Sequence, residues 1–325
     1  MTRVLVLGGG PDAERDISIT SAKGVHQGCL DAGLDATLRI VDEPTVSEIQ
    51  QWEADVIFPV LHGKFGEGGS LQGRLERARV SFVGAGFKAA SLAMDKLATK
   101  LVAAQLGIDT PQACLLDTDK LTNEGVIRSP IEPPIVVKPV HDGSSMGLYI
   151  CKTESDWREA QRQIQADLRV HPRRISMIER YTPGRELTAS VISDPQGSGE
   201  LIALPLIEIS PKEGVYDYEA KYTRNDTSYR VKPDLPDRVV DEIQAQALAI
   251  CNAIGVRHLA RVDFLLSTND EWALLELNTM PGFTPTSLLP QAADAIGLPM
   301  PMLCAHLVRC AQANHTPTTH PTARS

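Results

Sequence analysis

The chain has 325 residues, 42% hydrophobic and 22% charged, an ordinary globular composition long enough for two or three packed lobes. A formal net charge of −9 argues against nucleic acid or an anionic membrane as partner. No apolar run approaches the about 20 residues that span a bilayer. The opening Met-Thr-Arg and Val4–Leu7 are broken by Gly8–Gly10 too soon for a signal peptide and read as a first strand. Six cysteines (29, 114, 151, 251, 304, 310) lack Cys-x-x-Cys spacing, which predicts reduced thiols in a cytoplasmic protein.

Val4–Leu7 runs into a glycine turn, and an amphipathic helix Ser18–Ala32 follows, closed by Gly33. Strands are predicted at Ala36–Val41, Val56–Val60 and Val80–Val83, so the first lobe is α/β with a parallel sheet, ending near Ser91. Asp95–Leu106 is predicted as a helix with Leu97, Leu101 and Ala104 on one face and Gly107 as its stop. A small middle lobe then takes strands Ile135–Val140, Leu148–Cys151 and Ser176–Tyr181, helix Glu154–Leu168, and a turn at Thr182–Gly184. The last lobe has strands Glu186–Ile192, Leu201–Ile209, Leu259–Leu266 and Trp272–Asn278, with helices Asp237–Ile254 and Leu288–Ile296; its short turns favour an antiparallel sheet. The expected domains are 1–92, 93–185 and 186–312, with a Thr-, Pro- and His-rich disordered tail at 313–325. The cleft between the last two lobes is the expected ligand site.

In Arg261-Val-Asp263 and Glu276-Leu-Asn278 the polar residues alternate and share one strand face. A hairpin through Ser267–Trp272 sets Asp263 across from Glu276 and Arg261 across from Asn278. Opposed carboxylates call for a cation between them, and this oxygen set suits Mg²⁺; a solvent-facing polar stripe is the bland alternative. Lys138 ends the apolar strand Ile135–Val137 and needs an anion, for which a phosphate oxygen is the candidate and a snorkelling edge lysine the alternative. The loop Asp142–Gly147 carries small residues whose N–H groups suit phosphate, although it also reads as an ordinary turn. A Walker loop is absent.

Gly8-x-Gly10-x-x-Ala13, with Asp42 after the second strand, matches a loose dinucleotide fingerprint. The charges in Pro11–Asp16 would fall where a pyrophosphate must lie, which argues against it. Glu14 suits a substrate ammonium or the start of a helix dipole. His62 follows a strand end, where α/β sheets bind ligands, or is structural. Ser287 stands at a helix start, as an anion contact or a simple N-cap.

Together these blocks resemble the D-alanine–D-alanine ligases of the ATP-grasp superfamily, from about Arg3 to Arg309. They are Gly9–Ser18, Leu61-His62-Gly, Gly66–Gly73, Ala93–Lys96, Lys138-Pro with Gly143–Gly147, Tyr216–Tyr222, Arg261-Val-Asp263 and Glu276–Thr284. The resemblance implies a three-lobed fold enclosing ATP between two antiparallel-sheet lobes. It implies phosphate contacts from Lys96, Lys138, Lys221 and the loop serines Ser144 and Ser145. Glu179 would hold the adenine edge with backbone groups of Tyr181 and Thr182, and Glu186 the ribose. Two Mg²⁺ (or Mn²⁺) would sit on Asp263, Glu276 and Asn278. The implied reaction phosphorylates one D-alanine to an acyl phosphate, which the amine of a second D-alanine attacks, supplying peptidoglycan synthesis. Glu14 would hold the first substrate's ammonium and Ser287 the second's carboxylate, with His62 and Leu288 also binding substrate; Arg261 and the backbone at Gly282 would stabilise developing charge, with Ser144 and Tyr222 joining Glu14 near the second amine. Tyr222 favours an amine over D-lactate. A homodimer is implied too. The chain departs from the family's usual Glu-Asp-Gly at Glu67-Gly68-Gly69, from a Pro-Tyr stretch at Val80–Val83, and in Thr223–Asp226. A different acceptor such as D-serine, and a nucleotide-binding regulator without catalysis, are the alternatives; the intact Lys138, Arg261, Asp263, Glu276 and Asn278 argue against the regulator.

Overall fold

The computed structural model describes residues 1–143, 147–211 and 227–313. The first lobe is a three-stranded parallel sheet of β1 (Arg3–Gly9), β2 (Asp35–Val41) and β3 (Val56–Pro59), with β1 in the centre. A strand flanked on both sides and covered by helices must be apolar throughout, and Val4 to Leu7 are all buried. Helix α1 (Arg15–Asp31) packs across it, starting three residues earlier than the sequence predicts because Glu14 and Arg15 already turn. The predicted strand Val80–Val83 is reduced to a single parallel bridge, Ile57 to Phe82. Val83 N–H still reaches Ile57 O, but Gly84 turns the chain away at φ +102° before a ladder can grow.

The connections that the sequence leaves open fold as short helices: α2 (Val46–Gln50), α3 (Gly63–Glu67), α4 (Ser70–Ala78) and α5 (Phe87–Met94). Helix α6 (Lys96–Gln105) is capped by the Asp95 carboxylate, which accepts from the N–H groups of Leu97 and Ala98. Its buried face differs from the predicted one. Lys96, Thr99, Lys100 and Ala103 are inside, whereas Leu101 is 69% exposed. Apolar periodicity misleads here because the helix turns two lysines inward, Lys100 to the buried Glu179 and Lys96 to the Asp142 carbonyl and Glu276, an arrangement that hydropathy scores as a solvent face.

The middle lobe is a four-stranded antiparallel sheet in the order β4 (Ala113–Leu115), β7 (Ser176–Arg180), β5 (Ile135–Pro139), β6 (Tyr149–Cys151), with β4 unforeseen. Helices α7 (Thr118–Glu124) and α8 (Glu154–Val170) supply its core, where Trp157 is buried and donates through its indole N–H to Ile127 O at 3.0 Å. The third sheet has six strands. β11 (Thr227–Val231), β10 (Ile207–Pro211), β8 (Arg185–Ser193), β12 (Leu259–Leu266) and β13 (Trp272–Asn278) lie in that order, and β9 (Leu201–Ala203) pairs with β8. The predicted strand Leu201–Ile209 is thus two strands, broken at Leu204–Leu206. Helix α9 (Asp237–Ile254) covers one face, together with α5 and α6, whose alanines share its core.

The chain then returns. α10 (Leu288–Asp294) and α11 (Met300–Ala313) pack on α1 and the opposite face of the large sheet in one continuous core. That core joins the first and last thirds of the sequence, and the loop before α10 is thereby held against the mouth of the first sheet. Ala313, predicted to open a disordered tail, is the last residue of α11.

Candidate active site

β12 and β13 pair as predicted at the polar positions, with Arg261 opposite Asn278 and Asp263 opposite Glu276. Nearer the turn the register shifts by one, so that Phe264 faces Leu274 and Leu275 is left as a bulge. The bulge lets Leu274 and Leu277 both enter the core while Glu276 and Asn278 face the cleft. Asp263 is 3% exposed, and its carboxylate is held by two neighbouring side chains. Arg261 grips it as a fork, Nη2 to Oδ2 at 2.8 Å and Nε to Oδ1 at 2.9 Å, and Thr188 Oγ1 donates to Oδ1 at 2.7 Å. Lys96 Nζ lies 3.7 Å from Glu276 and donates to Asp142 O at 2.7 Å. The cations expected between the opposed carboxylates are therefore protein side chains at least in part. Among the described residues no cluster of three or more His, Cys, Asp or Glu forms a metal cage. The donor set that remains, two carboxylates and an amide whose Oδ1 is oriented by the Met280 N–H at 2.9 Å, fits a hard divalent ion that keeps ligands from elsewhere.

Lys138 finds its anion inside the protein. Its Nζ donates to Glu179 Oε1 at 2.9 Å across the β5–β7 pair. Lys100 approaches from α6, 2.7 Å from Oε2 but off hydrogen-bonding alignment, and donates to Pro111 O at 3.1 Å. Burial alone would raise the Glu179 pKa, yet the two ammonium groups hold it below the ordinary carboxylate value. Burial pushes Lys100 below its own ordinary value, against the pull of Glu179. The Glu179 that the resemblance assigns to adenine is thus also the counter-ion of the middle sheet. The Tyr181 N–H is taken by Pro134 O at 3.0 Å, which leaves its carbonyl for any adenine contact. Glu186 is half-buried on β8 beside Ile209 and Leu265.

The other wall comes from the first lobe. Gly9 and Gly10 adopt positive φ, and a Cβ on Gly9 would meet Val41 O at 2.4 Å. The mouth of this turn is filled by Arg15, which donates to Gly10 O at 2.8 Å and pairs with Asp42. The dinucleotide fingerprint is thereby occupied by its own guanidinium. Glu14 is buried at the N-terminal end of α1 without capping it, and it packs against Gly63 and Gly143. His62 is buried with Nδ1 3.2 Å from Glu67 and Nε2 3.2 Å from Ser21. Ser287 occupies the N-cap position of α10, but its Oγ accepts the Thr284 N–H at 2.9 Å and caps nothing. A Cβ on Gly282 would stand 2.7 Å from that Oγ, so the position admits only glycine without a shift.

These walls enclose a cleft of about 300 Å³ lined by Glu14, His62, Arg261, Glu276, Gly282 and Ser287 among others. Asn278 and Leu288 also line it; Asp263 is held by Arg261 behind them, Lys138 and Glu179 sit in the middle sheet, and Tyr181 and Thr182 follow directly after β7. Ser144, Ser145, Lys221 and Tyr222 lie outside the described residues. Sequence reasoning missed Lys100, Glu67, Ser21, Thr188 and Tyr229. A spacing of four from Lys96 signals Lys100 on the same helix face. Nothing local signals Thr188, which meets Asp263 only through the register of β8 on β12.

A parallel α/β lobe followed by two antiparallel sheets, with buried lysines on one and paired carboxylates on the other, is the architecture of an ATP-grasp enzyme. The solved D-alanine–D-alanine ligase from Coxiella burnetii superposes with a TM-score of 0.77 at 25% identity, over 97% of this chain and 96% of that one. The family D-ala D-ala ligase C-terminus matches residues 102–309, and D-ala D-ala ligase N-terminus matches 35–85. The chain belongs to the D-alanine–D-alanine ligase family. Relatives bearing that name are found in Bordetella petrii (40% identical, covering 94% of this chain and 91% of that one) and in a Janthinobacterium (37%, 98% of each).

Proposed function

We propose that the protein joins two molecules of D-alanine to D-alanyl-D-alanine at the expense of ATP, through an acyl phosphate, for peptidoglycan precursors in the cytoplasm. The observation that carries this reading is the single small cleft in which Glu14, His62 and Ser287 face Arg261, Glu276 and Asn278. Groups suited to an ammonium and a carboxylate stand on one wall, and the phosphate-handling groups on the other. Its about 300 Å³ suits amino acids and not a large acceptor.

Glu14 holds the ammonium of the first D-alanine with His62 beside it, and Ser287 with Leu288 receives the carboxylate of the second. ATP lies along the middle sheet, its phosphates toward Lys96, Lys138, Lys221 and the Ser144–Ser145 loop, its adenine edge toward Glu179, Tyr181 and Thr182, its ribose toward Glu186. The first carboxylate attacks the γ-phosphate, ADP departs, and the second amine then attacks the acyl carbon and expels phosphate. Arg261 and the Gly282 N–H lie where negative charge develops in both steps. Asp263, Glu276 and Asn278 would hold two Mg²⁺ (or Mn²⁺), which when bound supply charge neutralisation at the phosphates. Ser144, Tyr222 and Glu14 would surround the second amine, and the segment bearing Tyr222 would exclude water from the acyl phosphate. A homodimer is the assembly we propose.

The test is purified protein with ATP, Mg²⁺ and D-alanine, followed for phosphate release and for dipeptide by mass spectrometry. Dipeptide formed in step with phosphate supports the reading, and no D-alanine-dependent phosphate overturns it. D-lactate or D-serine replacing D-alanine as acceptor would move the specificity.

A further inference from the structure

Three backbone N–H groups flanking Gly282 are held by side chains. Met280 N–H is taken by Asn278 Oδ1 at 2.9 Å, Phe283 N–H by Ser21 Oγ at 3.2 Å, and Thr284 N–H by Ser287 Oγ at 2.9 Å. Among the described residues the N–H of Gly282 itself donates to nothing, and Gly282 lines the cleft. The middle clamp is the unexpected one. Ser21 lies on α1 with no exposed surface, 262 positions before Phe283.

Ser21 is also the end of a polar chain whose protons can be assigned. Glu67 as a carboxylate only accepts, so His62 Nδ1 carries the proton directed at it, 3.2 Å away. In the tautomer with its proton on Nδ1, Nε2 accepts and the Ser21 hydroxyl proton goes there, over 3.2 Å. The Oγ lone pair is left for the Phe283 N–H. Glu67 also takes the Gly63 N–H at 3.1 Å, which fixes its carboxylate. Each donor has one acceptor, with one polarity from Phe283 to Glu67.

Serine, histidine and glutamate at such spacing have the form of a nucleophilic triad. Nucleophilic use is excluded because Ser21 is wholly buried and presents no surface to a substrate. The relay instead orients a peptide. Phe283 is 1% exposed, its ring edge-on to Phe58 at 5.5 Å between centres, so its N–H is shielded from water and the bond to Ser21 satisfies it.

We propose that Ser21 is a positioning residue for the reaction. With His62 and Glu67 behind it, it fixes the Gly282–Phe283 peptide so that the Gly282 N–H meets developing negative charge. The inference rests on the ligase reading given above. Removal of the hydroxyl strands the Phe283 N–H and leaves His62 Nε2 without its donor, while the groups assigned to ATP stay in the other lobes.

The experiment compares Ser21→Ala and Ser21→Thr with wild type in the full-length protein, measuring kcat, the KM values for ATP and D-alanine, and ADP binding by calorimetry. Ser21→Ala is expected to lower kcat/KM for D-alanine roughly 10- to 100-fold, mainly in kcat, because a misaligned donor costs the transition state. ADP affinity and the ATP KM stay within about two-fold of wild type, and Ser21→Thr recovers most of the loss. A Ser21→Ala enzyme of wild-type rate overturns the proposal. So does a loss that falls equally on ADP binding, or a Thr variant that binds ADP normally yet is as slow as Ala. Wild-type protein that releases no phosphate with D-alanine overturns the ligase reading itself, and this role with it.

Discussion

Thr188 Oγ1 donates to Asp263 Oδ1 at 2.7 Å, from the position directly opposite on the neighbouring strand. Both residues are almost fully buried, so neither has water to fall back on. The hydroxyl and the Arg261 fork together set the plane of the Asp263 carboxylate, and an oriented carboxylate is what a divalent ion needs from an acidic ligand. Thr188→Val keeps the volume and removes the donor. It is expected to weaken Mn²⁺ binding, measured by paramagnetic resonance beside a non-hydrolysable ATP analogue, by roughly 10- to 100-fold. Thr188→Ser should stay near wild type, and an unchanged Mn²⁺ affinity in the valine variant would refute the orientation argument.

The buried Lys100–Glu179–Lys138 group predicts a stability effect separate from chemistry. Lys100 and Glu179 are 7% and 3% exposed, and Lys100→Met leaves Glu179 with Lys138 as its cation at 2.9 Å while removing the second close charge. The variant is expected to cost about 1–3 kcal/mol, read as a lower urea midpoint. Because Glu179 is held below its ordinary pKa, its share of stability is present above the unfolded carboxylate value and is lost as pH falls through the lower folded value. The variant should therefore lose part of the acid sensitivity of the wild type below about pH 4.3. Equal acid profiles would contradict the pairing.

A second pH effect comes from His258, which burial first, and then Arg257 and His306, push down to about 3. Its Nδ1 accepts the Gly84 N–H at 3.0 Å and must stay unprotonated to do so. The unfolded chain binds this proton near pH 6.5 and the folded one only near 3, so stability declines as pH drops through that window. The decline is on the order of 4 kcal/mol. His258→Asn, a residue that tolerates the positive φ of 68° here, should flatten the slope of urea stability between pH 6 and pH 4. A slope as steep as wild type would remove His258 from the account.

The face of α6 is tested by contrast. Leu101 is 69% exposed, so Leu101→Ala should change stability by less than about 0.5 kcal/mol. Trp157, 1% exposed in the middle-lobe core, should cost about 3–5 kcal/mol as Trp157→Ala. Thermal unfolding of the two variants side by side measures both, and a large loss at Leu101 would mean the helix is rotated.

Much of the fold is legible because local chemistry demands it. Val4–Leu7 must be a central strand, Asp237–Ile254 has a helical period and a glycine stop, and the alternation in Arg261–Leu265 puts Arg261 and Asp263 on one face whatever surrounds them. Those periods follow from backbone geometry and need no tertiary partner. Arg261, Glu276 and Asn278 could likewise be named from residue type and spacing, Glu14, His62 and Ser287 only as candidates beside structural alternatives, and Gly282 only through the family resemblance; all seven line one cleft.

What the tertiary structure decided was partnership. The strand at Val80–Val83 shrinks to one bridge because Gly84 leaves the sheet. Leu101 turns to solvent and Lys100 turns inward because Glu179 waits on another lobe. Leu275 bulges so that two leucines can reach the core. Thr188 and Ser21 serve Asp263 and Phe283 across 75 and 262 positions of chain. A burial cost or a hydrogen bond is a property of two groups in space, and along the sequence only one of the two is written at each place.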